Sequence, residues 1–445
     1  MKYVKGVIFM VVFFMVTGCT DTEHQETTES DFQKETEISA KKVVLKVLST
    51  TIVESPEKEL EQQLAETFMA ANKDIVIEYI GVPINNVSTQ LSTLAIEDNM
   101  PDIFVNLPEF RNKLYDLDII ADLRRFFDDS FLEQIYPELM IEAIQDEEMV
   151  FLPWSMVSMG VIYRTDWFEE KKLTVPKDWS AFLEVAKALT EDTNGDGVID
   201  RWGLALVGAK NNSGAVRFTN VLRSFGAYEL RYADHQWVTD MDSPEGIAAL
   251  TYYGELYTKH KVVPPGPVEV SYEEAIEWMK NEKTAMMITG SHAMASILAK
   301  NPGLKGKLGS FLIPMGSQHT STLGIHGYSI AKTSPHKEEA VRFLRFLLEK
   351  DNQIRWFEQT GRIPSTVYAG EVVLGRDDAY SGFYEAFQYI EPFPRVSYYA
   401  DMPDILGQAY QQVLTESQEP RIAAKEAANR IRQIIDNSNI KNEQE

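Results

Sequence analysis

The chain is almost without cysteine, short of positive charge and, beyond its first residues, without any long apolar run. Cys19 is the single cysteine in 445 residues, which excludes disulfides within the chain, dithiol redox chemistry and cysteine-ligated metal. Lys and Arg number 43 against 67 Asp and Glu, for a net charge of −24 and a pI near 4.8. Binding to phosphate backbones needs clustered basic side chains, so nucleic acid is excluded as a partner. The overall field attracts neither a membrane surface nor a polyanion. The longest apolar run, Val7 to Val16, has ten residues, well short of the ~18 needed to cross a bilayer. Catalytic signatures are missing too. There is no GxSxG, HExxH, GxxxxGK[ST] or dinucleotide fingerprint, so no enzyme is expected and no catalytic cofactor. Among so many carboxylates a glycosidase-like pair arises by chance, and its presence decides nothing.

What is present is a globular composition, 44% apolar and 11% aromatic, enough for sizeable cores in two or three domains. Lys2 and Lys5 precede the run Val7 to Val16, which ends at Val16-Thr17-Gly18-Cys19. This pattern resembles a bacterial lipobox. The resemblance implies that residues 1–18 are a signal peptide and that the Cys19 thiol carries a fatty acyl chain such as palmitate. Each buried methylene of that chain adds about 0.8 kcal/mol of membrane affinity. The alternative is an ordinary signal peptide with an incidental cysteine. Residues 19–42 are polar and acidic and cannot bury enough apolar surface to offset their own ordering. They read as a tether spanning on the order of 25 Å. The expected body is therefore held on the extracellular face of the membrane through lipid alone.

Val43 to Leu48 reads as a buried strand. Ser55 and Pro56 then read as cap and first turn of a helix whose Leu60, Leu64 and Phe68 share one face. A second strand (Ile75 to Ile80), a second helix (Val87 to Ile96) and a third strand ending at Val105 complete a βαβαβ unit. The stretch FLPWSMVSMGVIYRTDWF, Phe151 to Phe168, is the one around which the rest is organised. Its apolar start breaks at Pro153 and Trp154 and resumes as a strand from Met156 to Tyr163. It reads as a crossing between two α/β lobes, with Trp154 at the crevice where such folds bind ligands. Ala285 to Gly290 is an apolar run of the kind a second crossing needs. A helix from His336 to Lys350 and a last helix from Ile422 to Ile435 follow.

The pieces LAETFMAANKDIVIEYI, QLSTLAIEDNMPDIFV, FLPWSMVSMGVIYRTDWFEE, VPKDWSAFLEVAKALT, EKTAMMITGSHAM, GYSIAKTSPHKEEAVRFLRFL and TGRIPS resemble, in order, the signature blocks of extracellular solute-binding proteins of sugar ABC importers. The resemblance implies a two-lobed periplasmic-binding-protein-like fold (type II). Residues 43–151 and 290–333 would form the first lobe, and 152–289 and 334–440 the second. It also implies a monomer that clamps an oligosaccharide between its lobes and delivers it to permease subunits. Rival readings are a secreted carbohydrate-active enzyme and a sugar-sensing or adhesive surface lipoprotein.

Sugar rings offer apolar C–H faces and hydroxyl edges, so aromatic, amide and charged side chains at strand ends are the candidate contacts. These are Trp154, His292, His326, Tyr328, Arg362 and Tyr399 beside Tyr398, with Glu54, Asn106 and Glu109, preceded by Ser49 and Thr50, after first-lobe strands. In the family blocks a tryptophan is common where this chain has His292 and His326. Two imidazoles and Arg362 point to a ligand carrying a carboxylate or sulfate. The tyrosines Tyr252, Tyr253 and Tyr257, with Trp278, sit at helical spacing and read as core. One further motif, DTNGDGVID, places Asp192, Asn194, Asp196, Val198 and Asp200 as the start of an EF-hand calcium loop, although Gly203 stands where a bidentate Glu belongs. It is read as a structural calcium staple, the alternative being an acidic Asn-Gly turn.

Overall fold

The strand expected from Met156 to Tyr163 starts earlier, at Leu152, and runs to Arg164. Its first half pairs antiparallel with the strand Ser321–Ile330, and its second half with Thr284–Gly290 and Leu308–Phe311. Pro153 is tolerated because the register slips beside it. His326 lies opposite Ser155 and Gly327 opposite Pro153, which leaves Trp154 as an extra residue. A bulge is where a sheet accepts a residue with no N–H to give. Gly327 is required there, since a Cβ on it would stand 2.3 Å from the Phe151 ring.

This computed structural model describes residues 42–442 apart from 110 and 374–377; the expected signal segment, Cys19 and the tether up to residue 41 lie outside the described residues. Ten strands form one curled mixed sheet. Its main path runs Ile75–Gly81, Val43–Ser49, Ile103–Asn106, Ser321–Ile330, Leu152–Arg164, Thr284–Gly290, Trp202–Ala205. The first three strands are parallel, as the βαβαβ pattern requires. The helix Glu57–Ala71 buries Leu60, Leu64 and Phe68 as expected. Its start differs: Pro56 occupies the cap position, and Ser55 donates to Glu59 at 2.7 Å instead of capping.

Side chains fall into two hydrophobic clusters. Leu152, Trp154 and Met156 enter the first, Met159 and Val161 the second. The long strand is thus the crossing anticipated from its sequence. The expected allocation of residues 334–440 to the second lobe is corrected for their first part. Helices Lys337–Leu347 and Lys350–Thr360 bury Phe343, Leu344, Leu347 and Trp356 in the first cluster. Reach explains this, because Ser321–Ile330 ends beside Ile103–Asn106 and only residues 331–336 separate it from the next helix. The chain rejoins the second cluster at Phe393, and helices Met402–Leu414 and Pro420–Asn442 add Ile405, Tyr410 and Ile431. Tyr252 and Tyr253 also pack with the second cluster as expected, their hydroxyls donating to Trp179 O and Val207 O. No helix among the described residues is long and apolar enough to cross a membrane.

Trp154 does not stand at a crevice. It is 1% exposed, packed at a tilt against Trp356 at 4.1 Å and Tyr328 at 5.4 Å between ring centroids. Truncating a buried tryptophan costs about 3–5 kcal/mol. Trp154→Ala should therefore lower the urea midpoint by a loss of that size, and a loss below about 1 kcal/mol would contradict the placement.

Candidate functional site

Side chains alternate across a strand, so residues one step out of phase with Trp154 face the other side of the sheet. There Val157 and Met159, with Thr322, Gly324 and His326 of the partner strand, line a cavity of about 160 Å³. A buried water occupies roughly 10–15 Å³ on this scale, so the space matches about a dozen waters, near the non-hydrogen content of one sugar ring. The first cluster's side contributes Thr50, Glu54 and Glu109 from loops after parallel strands, and Arg362 after the helix Lys350–Thr360. The opposite wall is the start of the helix Asn212–Ser224, with Asn211, Asn212, Ser213 and Arg217. Tyr272, Glu273, His292 and Phe393 complete the enclosure.

Five of the nine principal sugar-contact candidates are thus brought together, Glu54, Glu109, His292, His326 and Arg362, and Thr50, named beside them, joins them. Four are not. Trp154 and Tyr328 belong to the first core, and the Tyr328 hydroxyl donates to buried Glu61 at 2.6 Å. Tyr399 is buried in the second core and donates to Glu229, itself paired with Arg223 at 2.6 Å. Asn106 is fully buried and donates to Ser329 at 2.9 Å. Asn211, Asn212, Ser213, Arg217, Tyr272 and Phe393 were missed. The strand-end rule applied to the first lobe would have found the Asn211–Ser213 turn, had it been applied also after Trp202–Ala205, which lies parallel to Thr284–Gly290.

The electrostatics also differ from expectation. Arg362 is buried and its Nε donates to Glu57 at 3.1 Å. Arg217 spends its guanidinium on Ile288 O, Ser213 and Thr289 at 2.6–3.0 Å and lies over the Tyr272 ring. Burial, reinforced by Arg362, holds both His292 and His326 well below the usual imidazole range, so they are neutral. His292 rests on Tyr272 at 5.2 Å between centroids, and its Nδ1 has no partner. A Cβ on Gly290 would meet that ring at 2.9 Å, so the glycine makes room for it. Burial pushes the carboxyls of Glu54 and Glu109 up to about 7. Glu109 Oε2 and Thr50 Oγ1 are buried without partners. The cavity thus presents neutral imidazoles, free acceptors and two aromatic faces, a set suited to a hydroxyl-rich ligand.

The acidic loop behaves otherwise. Asp192 accepts from the amides of Gly195 and Gly197, Asp196 from Val198, and Asp200 from Thr193, with Asn194 turned on the Asp196 amide. Among the described residues no three acidic or histidine side chains gather as a metal site. The loop's carboxylates bond to its own backbone, and Val198 is an exposed residue of the same turn.

The profile of the bacterial extracellular solute-binding protein family matches residues 54–354, more than half of the chain. The chain belongs to this family. It is 22% identical to lipoprotein LipO of Bacillus subtilis over 372 residues, 79% of this chain and 71% of that one. Its fold matches an ABC transporter solute-binding protein of Thermotoga lettingae bound with α-D-tagatose, with TM-score 0.80 and 22% identity over 88% of this chain and 100% of that one. It also matches maltose-bound MalE3 of T. maritima, with TM-score 0.78 and 24% identity over the same shares. The two-lobed α/β architecture is thereby established, within a family of binding proteins.

A carboxyl that keeps its proton to about pH 7 when folded, against 4.5 for the free group, makes the folded state the better proton binder in between. Stability contributed by that group falls as pH rises through this window. Glu54→Gln and Glu109→Gln should each raise the melting temperature relative to the parent at pH 8 more than at pH 4, in ligand-free protein. Equal differences at both pH values would overturn the burial account.

Proposed function

We propose that this solute-binding protein captures a sugar outside the cell, closes its two lobes on it and passes it to the permease of an ABC importer. The observation that carries the reading is the cavity itself. Its walls come from both hydrophobic cores, and the sheet strands that join those cores form its floor. Opening or closing the lobes would therefore make or break contacts to one bound molecule, which is the condition for a ligand to shift the balance between states. Tyr272 and Phe393 offer ring faces; His292, His326, Asn212 and the free N–H groups of Arg362 offer hydrogen bonds. Tagatose and maltose in the similar folds agree with a sugar as ligand, and the enclosed volume suits one ring with any further ones projecting out.

Lipid anchoring through Cys19, an extracellular position and a monomeric body complete the proposal; LipO, a lipoprotein, supports the first. The acidic ligand expected from His292, His326 and Arg362 gains no support from the cavity, where the imidazoles are neutral and Arg362 is matched by Glu57.

Thermal-shift titration of the purified protein against hexoses and oligosaccharides tests the sugar. At a hundredfold excess over Kd a specific ligand adds about 2.7 kcal/mol, read as a rise in melting temperature, and the sugar should be recovered chemically unchanged. A panel without any shift would remove the reading. Cys19→Ser should move the protein from the membrane fraction to the medium, and retention would refute the anchor. Calcium added after chelation should leave the melting temperature unchanged, the loop being satisfied without it.

A further inference from the structure

We propose, resting on the sugar-binding reading above, that the ligand carries a basic amino group, an amino sugar rather than a neutral or acidic one, and that Glu109 together with Glu54 receives it. The argument is one of unmatched charge. The wall holds three carboxylates, Glu54, Glu109 and Glu273, and two guanidiniums, Arg217 and Arg362. Glu57 lies behind Arg362 and takes up its charge at 3.1 Å, so once Glu54 and Glu109 give up the protons that burial holds on them, four carboxylates face two cations. Arg111, next to Glu109 in sequence, is itself paired with Glu142 at 2.9 Å.

The positive ends of helices do not redress the balance. Asn211 caps the helix Asn212–Ser224 by accepting from the Gly214 amide at 3.0 Å, and Ser271 with Glu274 forms a capping box on the helix Tyr272–Lys280. The helix starting at His292 has no side-chain cap, but one open turn carries only about half a charge. Glu109 Oε2, buried and without a hydrogen-bond partner, is then the group most in need of a donor. A buried carboxylate oxygen without a partner is costly, and a ligand cation that both pairs with it and hydrogen-bonds to it relieves that cost. Hydroxyls can bond to Glu109 as well, yet they leave the net negative charge of the enclosure unmatched, and a uronate adds to it.

The test uses purified protein and titration calorimetry with hexoses, hexosamines, N-acetylhexosamines and uronates matched in ring stereochemistry, as monomers and short oligomers. An amino ligand should bind about tenfold or more tightly than its neutral counterpart, the worth of a charge-assisted hydrogen bond. Glu109→Gln should abolish that advantage while changing affinity for the neutral counterpart much less. The exposed Glu273→Gln is a second variant whose folding is not at issue, and it should narrow the advantage. Neutral or acidic sugars binding as tightly as amino ones, or a preference that survives Glu54→Gln, Glu109→Gln and Glu273→Gln alike, would overturn the proposal and leave the sugar reading intact. No binding in any charge class would remove both.

Discussion

The long strand Leu152–Arg164 is shared between two hydrophobic cores, and its alternation of side chains, with that of its partner Ser321–Ile330, governs the molecule. One face sends Trp154 and Met156 into the first core; the other sends Val157, Met159, Thr322 and His326 into the cavity. Because the long strand serves both lobes, the same backbone sets where the lobes join and which residues the ligand meets. The bulge at Trp154, beside Pro153, shifts that alternation by one residue. A one-residue shift exchanges the faces of everything beyond it, so this irregularity decides that His326 lines the cavity while Tyr328 is sealed beneath it.

The cavity is built at a cost to the empty protein. Glu54 and Glu109 are desolvated, and Thr50, Glu109 and His292 each leave a buried polar atom without a partner. Two buried carboxylates outside the cavity are matched: Glu61 by Tyr328, Thr51 and Ser49, Glu229 by Arg223 and Tyr399. Unpartnered atoms occur in the cores as well, Trp154 Nε1 and Trp356 Nε1 among them, but those of Thr50, Glu109 and His292 border an enclosed space in which a ligand can supply the missing partner. The acidic loop from Asp192 to Asp200 shows the contrary condition, its carboxylates answered by nearby amides.

Much of the fold was legible. The 3.6-residue spacing of Leu60, Leu64 and Phe68 marked a helix on a sheet, and Val87–Ile96 matches its expected bounds. Family blocks in order implied two lobes. Within the site, strand-end reasoning located Glu54 and Glu109, and the histidines and Arg362 came from the family pattern. The errors share one cause. Trp154, Tyr328, Tyr399 and Asn106 were chosen for their chemistry and their nearness to strand ends, without asking which face each would occupy. For Trp154 parity with Met156 was available in the sequence; for Tyr328 it was not, because the bulge arises only from pairing with a distant strand.

Local pattern by itself determined the order of strands and helices, the crossing at Phe151 to Phe168 and the family, since periodicity and short motifs are properties of neighbouring residues. Tertiary structure alone decided which core the helices after Ser334 join, a matter of how far six residues can reach. It also decided that Arg362 meets Glu57 across 305 positions of sequence, leaving the carboxylates and not the guanidinium unpaired. Charge pairing depends on distance in space, and composition carries no record of that.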